Sequence, residues 1–321
     1  MNIAILSRKP NLYSTRRLVE EAEKLGHKVT VIDHTKCHLL MQKGKPAIKL
    51  NGEEVKDIDV IVPRIGASVT QYGATVIRHF DLLNVPSVLT AAALIRSRDK
   101  LRSLQVLSKS GVGIPKSVFA RHPKSNDVKN LIGDIGSMPV ILKLLEGTHG
   151  TGVIKADSIA SAKSAVEAFS GIKKDLIVQE FIEEADGADI RAFVVDGKVV
   201  GAMQRKGVDG EFRSNLHKGG VAQIIELDKK TVSLALEATK LLGLNVAGVD
   251  ILMSKRGPLV VEVNSSPGLQ GIEKATGVNI AKSVIEVAQK KYEKTLALKE
   301  KNKTRNSLKK KKKRAKKDGD E

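Results

Sequence analysis

Apolar and polar residues alternate through the first ninety positions in the rhythm of short strands joined by amphipathic helices. Ile3 to Leu6 reads as a strand, Ser14 to Leu25 as a helix closed by Gly26, and Lys28 to Ile32 as a second strand. That is a βαβ opening. The Asn51-Gly52 pair after Ile48 to Leu50 predicts a hairpin, and Val60 to Val62 before Pro63 predicts another strand. A helix over Tyr72 to Asn84 and a strand over Ser87 to Leu89 complete a small α/β lobe, whose boundary falls between Ala92 and Ser97.

From Arg96 the rhythm changes. A basic helix over Arg96 to Ser110 ends at Gly111, before a Gly113-Ile114-Pro115 stop. Strands then dominate: Pro139 to Leu145 and Val153 to Lys155 flank a glycine-rich loop, and Val178 to Ile182 is a further apolar run. Ile190 to Val195 and Lys198 to Met203 flank Asp196-Gly197, a strong hairpin signal. Helices over Ile159 to Phe169 and Lys230 to Leu242 interleave with them. These runs predict a mixed, largely antiparallel α+β body. A last helix, Asn279 to Glu293, passes into low-complexity lysine sequence without core-forming residues, so residues 291–321 are expected to be disordered.

Composition narrows the function. A chain of 321 residues with 41% hydrophobic content has material for two or three lobes. It holds no apolar run long enough to span a bilayer, and its start turns polar after one strand, so a cytoplasmic protein is expected. The single cysteine, Cys37, agrees with a reducing compartment. The net charge of +19 is concentrated in the tail, where twelve Lys and Arg stand against four acidic residues from Lys299 onward, a net +8 that leaves +11 elsewhere. Aromatics at 3% and no tryptophan provide little for the stacking platforms of single-strand binders.

The segment Val246 to Gly268 carries the sharpest chemistry. Two β-prone runs, Val249 to Met253 and Leu259 to Val263, joined by a five-residue turn, set Asp250 opposite Glu262, with Asn264 on the same face. Two carboxylates and an amide form an all-oxygen set suited to Mg²⁺ or Mn²⁺. Lys143 interrupts an apolar strand, where an ammonium needs an anion. The loop Glu146 to Gly152 that follows lets backbone N–H groups approach phosphate, though it matches neither a Walker loop nor G-x-G-x-x-G. A second polar loop, Arg213 to Gly220, gathers three cations and two glycines. No nucleophile-elbow motif or glycosidase acid pair is present, and Ser7 to Asn11 lacks a dinucleotide fingerprint, which disfavours a nicotinamide dehydrogenase.

In this order the pieces resemble an ATP-grasp ligase, most closely the RimK family, which adds glutamate to the C-terminus of a small-subunit ribosomal protein. The resemblance runs from Met1 to about Ala288 through IAILSR, VPRIG, RSRDKLRS, LKLLEGTHGTGV, VQEFI, GADIRAFVV, EFRSNLHKGG, VAGVDIL and VEVNSSPGL. It implies a Rossmann-like pre-ATP-grasp lobe over 1–96 and a two-lobed ATP-grasp fold over 97–290. It implies that Lys100 and Lys143 hold ATP phosphates, that Glu180 and Phe181 border the adenine, and that Asp189 meets the ribose. Arg213, Ser214 and Asn215 would line the triphosphate, while Asp250, Glu262 and Asn264 would bind two Mg²⁺ or Mn²⁺ ions. Arg205 and Arg213 are the candidates for stabilising an acyl phosphate and the oxyanion that follows.

The implied partners are L-glutamate and a ribosomal protein acceptor, in a homo-oligomer. A second reading keeps the fold but joins glutamate, or another amino acid, to a small cofactor, a carrier protein or free polyglutamate. A third is a basic RNA-associated protein that binds nucleotide without ligating. For the tail, an rRNA tether and a solvated end stand side by side.

Overall fold

The apolar run Ile3, Ala4, Ile5 and Leu6 is fully buried at the centre of a parallel sheet, as such runs are when both faces are covered. The computed structural model describes residues 1–145, 152–170, 175–207 and 220–317. The chain divides into two units, one of Met1–Arg64, Thr75–Val88 and Ala281–Glu321, the other of Ile65–Ala74 and Leu89–Ile280.

In the first unit the parallel sheet has the order Lys28–Ile32, Asn2–Leu6, Val60–Pro63, with the helix Tyr13–Lys24 completing the βαβ opening. The strand expected at Ser87 to Leu89 is reduced to a single bridge between Ser87 and Ile61, since Pro86 lacks an N–H and the partner strand ends at Pro63. The predicted Asn51-Gly52 hairpin joins Ala47–Leu50 to Glu53–Glu54, with both turn residues at positive φ. Cys37–Leu40 adds a third strand to that sheet.

The final helix corrects an expectation. It runs from Ile280 to Lys317, well beyond Glu293, so the segment expected to be disordered is helical as far as Lys317. Its apolar stripe of Ala281, Val284, Ile285 and Ala288 is buried. Beyond that point helix propensity carries it, because 291–317 contains Lys, Arg, Glu, Leu and Ala but neither Gly nor Pro. Among the described residues no helix is long and apolar enough to cross a membrane.

The second unit contains two antiparallel sheets. One has the order Ser117–Ala120, Leu176–Glu180, Val140–Leu144, Val153–Ala156 and packs on the helices Val128–Ile135 and Ile159–Ser170 through Val128, Ile132, Leu142, Val166 and Val178. The other has the order Val221–Ile224, Lys198–Lys206, Ala188–Val195, Val246–Ser254, Gly257–Asn264, with the helix Lys229–Leu242 against it. The single helix expected over Arg96 to Ser110 is two helices, Ala91–Arg98 and Lys100–Lys109. Asp99 between them is extended, and its carboxylate caps the second helix by accepting the Arg102 N–H at 2.9 Å. Lys100 is thereby fixed at the first position of that helix.

Candidate active site

The hairpin pairs Asp250 with Glu262 by a route the residue pattern does not show. Its turn has two residues, Lys255 and Arg256, with Ser254 opposite Gly257, rather than five. Continued regularly, that register would set Asp250 opposite Val261 and turn Glu262 to the other face. A one-residue bulge at Val261 restores the pairing, so Ile251 faces Val260, Asp250 faces Glu262 and Gly248 faces Asn264. One row of side chains then crosses all five strands: Ile224, Met203, Arg191, Asp250 and Glu262. Asp189 and Arg205, opposite one another, lie two residues along on the same face.

Arginines answer most of the negative charge on this face. Arg191 donates from Nε to Asp250 Oδ1 at 2.5 Å and from Nη2 to Oδ2 at 2.6 Å. Arg205 donates through the same fork to both oxygens of Asp189, at 2.6 Å each, and its Nη2 also lies 3.2 Å from Asp250 Oδ2. Asp250 and Arg205 are buried, at 8% and 5% exposure, where a lone charge would be costly and a bidentate pair is sustained. Burial pushes the Asp250 carboxyl up, but Arg191 and Arg205 together hold it below the ordinary carboxylate range. Burial works against the Arg205 charge as well, and Asp250 and Asp189 outweigh it, raising its pKa. Gly248 keeps the face open beside Arg191, because a Cβ there would come within 2.9 Å of Pro267 Cβ and 3.3 Å of Arg191 Cδ.

Across from this face stand the lysines. Lys143 Nζ donates to Gln179 Oε1 at 2.6 Å, Gln179 Nε2 donates to Ser117 Oγ at 2.8 Å, and Ser117 Oγ donates to the Pro115 carbonyl at 2.8 Å. This relay aims the ammonium. Burial pushes the Lys143 pKa down to about 8, with Glu262 and Asp250 raising it and Lys100 lowering it. Lys100 donates to the Leu144 carbonyl at 3.3 Å, and burial lowers its pKa against the pull of Glu262. Arg98 is lowered by burial too, again with Glu262 opposing. Glu262 is therefore the anion common to Arg98, Lys100 and Lys143.

Glu262 and Asn264 have no side-chain hydrogen bond or ion pair among the described residues, and three of the four in-plane lone pairs of Asp250 are engaged by arginine. Oxygen donors of this kind fit a hard divalent ion. Among the described residues no group of three His, Cys, Asp or Glu is placed to hold a metal ion, and the candidate set here is two carboxylates and an amide.

Glu180 lies at the end of its strand with its carboxylate accepting from the Lys116 N–H at 2.5 Å and from Arg256, while its own N–H donates to the Lys116 carbonyl. The Lys155 ammonium sits 4.7 Å from the Phe181 ring centre, a cation–π contact. Arg213, Ser214, Asn215 and most of the glycine-rich loop, including His149, lie outside the described residues. Sequence reasoning passed over Arg191, Arg98 and Gln179. The signal for Arg191 was its place two residues after Asp189 on one strand, hence on the same face.

Comparison with known proteins gives this arrangement its family. A model of the RimK-like ATP-grasp domain matches residues 97–288, and one of the RimK PreATP-grasp domain matches residues 1–94. A probable alpha-L-glutamate ligase of Aliivibrio fischeri (strain MJ11) is 54% identical over 290 residues, covering 90% of this chain and 96% of its own. One from Vibrio cholerae serotype O1 (strain M66-2) is 52% identical with the same coverage. Among solved structures, the ATP-grasp ligase PsnB complexed with a phosphomimetic variant of minimal precursor, Mg and ADP matches with a TM-score of 0.69 at 18% identity, covering 90% of this chain and 98% of that one. The D-alanine–D-alanine ligase from Bacillus anthracis complexed with ATP matches with a TM-score of 0.64 at 17% identity, covering 94% and 99%. Those two likenesses show the fold, and the family models together span nearly the whole chain before the lysine-rich tail. The chain belongs to the RimK family of ATP-grasp ligases.

Proposed function

We propose that this protein is an ATP-dependent α-L-glutamate ligase that adds glutamate to the C-terminal carboxylate of a protein, specifically a small-subunit ribosomal protein. The observation that carries the proposal is the pairing of Asp250 with Glu262 on a face answered by Arg98, Lys100 and Lys143, a site built from fixed charges. In the proposed reaction the acceptor carboxylate attacks the γ-phosphorus of ATP, and ADP leaves with the bridging oxygen. The α-amine of glutamate then attacks the acyl phosphate carbon, the C–O bond to phosphate breaks, and an amide, phosphate and a proton result. Charge positioning of this kind needs no protein nucleophile.

Lys143 and Lys100 would bind the triphosphate, Lys143 being held on line by Gln179. Arg205, locked by Asp189, would present its remaining N–H groups to developing oxyanion charge, and Arg213 would assist it. Glu180 and Phe181 would border the base, Asp189 the ribose, and Ser214 and Asn215 the phosphates. Asp250, Glu262 and Asn264 would hold Mg²⁺ or Mn²⁺, which when bound would neutralise triphosphate charge. The relatives' name, probable alpha-L-glutamate ligase, supports glutamate as the amine.

Intact-mass analysis of acceptors incubated with the protein, Mg²⁺, ATP and each amino acid in turn, with a ribosomal protein mixture included, tests the proposal. Whole-glutamyl increments on one ribosomal protein are expected. ADP release with unchanged protein masses would move the acceptor to a small molecule or free polyglutamate, and no ADP under any pairing would remove the ligase reading.

The tail is proposed as an rRNA tether. If it engages about six phosphates, the full-length protein should bind RNA with a log–log salt slope near 5, which a protein ending at Glu300 should lack. Equal slopes would make the tail a solvated end.

A further inference from the structure

Asp250 meets two guanidinium groups. Arg191 grips it with both prongs of its fork, and Arg205 touches Oδ2 from the side while giving its own fork to Asp189. The two arginines are not equivalent. Arg205 has a carboxylate of its own, whereas among the described residues the side-chain partner of Arg191 is Asp250. Register sets them side by side, Arg191 directly opposite Asp250 on the neighbouring strand, and Gly248 leaves room for its stem.

Charge points the same way. Among the described residues, Asp189, Asp250 and Glu262 face Arg98, Lys100, Lys143, Arg191 and Arg205, three carboxylates against five cations. The resulting excess of positive charge repels a free divalent ion and attracts a triphosphate. A metal ion approaching Asp250 finds one lone pair open and a guanidinium already in place.

We infer that Arg191 competes with a metal ion for Asp250, and that a bound triphosphate relieves the competition. The inference rests on the reading of Asp250, Glu262 and Asn264 as the metal-binding set. Arg191 is on this account a positioning residue. It holds the Asp250 carboxylate in place through its fork, and the triphosphate supplies the negative charge that lets a second cation come in beside it.

Mn²⁺ serves as the probe, with water proton relaxation reporting protein-bound ion in the full-length chain. The wild-type protein is expected to bind Mn²⁺ only in the millimolar range when alone, and at least ~10-fold more tightly with a non-hydrolysable ATP analogue, because the analogue reverses the local charge. Arg191→Met should tighten nucleotide-free Mn²⁺ binding by about tenfold or more, and Arg191→Lys, which keeps the charge but loses the fork, should fall between. Equal wild-type affinity with and without the analogue would overturn the inference, as would an unchanged nucleotide-free affinity in a folded Arg191→Met protein. If that variant does not fold, the wild-type comparison and Arg191→Lys decide. Asp250→Asn distinguishes failure of the inference from failure of the metal-set reading. Loss of the analogue-dependent site in this variant supports the metal-set reading, whereas its persistence would remove that reading and the inference with it.

Discussion

Glu262→Ala is expected to lower turnover by at least about a thousandfold, roughly 4 kcal/mol of transition-state stabilisation, while tightening the binding of ATP in the absence of metal. The two effects have opposite signs because Glu262 has two roles. As a proposed metal ligand it helps neutralise the triphosphate, and its loss removes that help. As the common counter-charge of Arg98, Lys100 and Lys143 it weakens the pull of those cations on phosphate, so its removal leaves three cations facing an anionic ligand with one carboxylate fewer to offset them. Calorimetry in chelator, set beside ADP-release kinetics in Mg²⁺, checks both. A variant that lost turnover and metal-free ATP affinity together would show that Glu262 only supports the fold of the hairpin.

Lys143→Met should weaken ATP binding by about a hundredfold and yet raise the melting temperature by ~2–4 °C, a gain of the order of 1 kcal/mol. An ammonium on a largely apolar strand is a cost to the folded state, and its depressed pKa, about 8 against an ordinary 10.5, is the measure of that cost. Between those two values the unfolded chain holds the proton more firmly than the folded one. Wild-type stability should therefore rise with pH from about 8 towards 10.5, a slope the methionine variant lacks. Binding carries the complementary signature. Below about pH 8 the lysine is charged and ATP affinity is level with respect to this group; above it affinity should fall, approaching a decade per unit. Thermal melts and ATP titrations from pH 7.5 to about 9.5 read out both, and a Lys143→Met protein that melts lower would show that the Gln179 hydrogen bond outweighs desolvation.

What the residue pattern disclosed and what it hid divide along the distance over which the deciding contact acts. Lys28–Ile32 and Ala188–Val195 read as strands because their apolar content and their turns are local. The opposition of Asp250 and Glu262 was legible because both lie in one hairpin, although a two-residue turn plus a bulge produces it. Arg191 was not legible as the partner of Asp250, since that contact requires Ala188–Val195 to lie beside Val246–Ser254, a pairing of strands more than fifty residues apart. The Lys143–Gln179 bond has the same character. Asp99 shows a different failure. Helix formers stand on both sides of it, so the run looked continuous, yet its carboxylate satisfies the Arg102 N–H better as a cap than it could from a helix interior. In the tail, low-complexity sequence without core-forming residues was read as disorder, whereas lysine, arginine and leucine are good helix formers and nothing in 291–317 breaks the backbone ladder.

That final helix also sets a length. From Gln289, just past the last buried residue, to Lys317 it contains twenty-nine residues, which at about 1.5 Å each make a rod of roughly 43 Å. The same residues as a flexible coil would average about 30 Å end to end, with a broad spread. The lysine run is thus carried at the far end of a lever arm longer than a small domain is wide, at a radius fixed by the backbone. A proline placed midway, as in Asn302→Pro, would turn that arm into two jointed halves without altering a single charge.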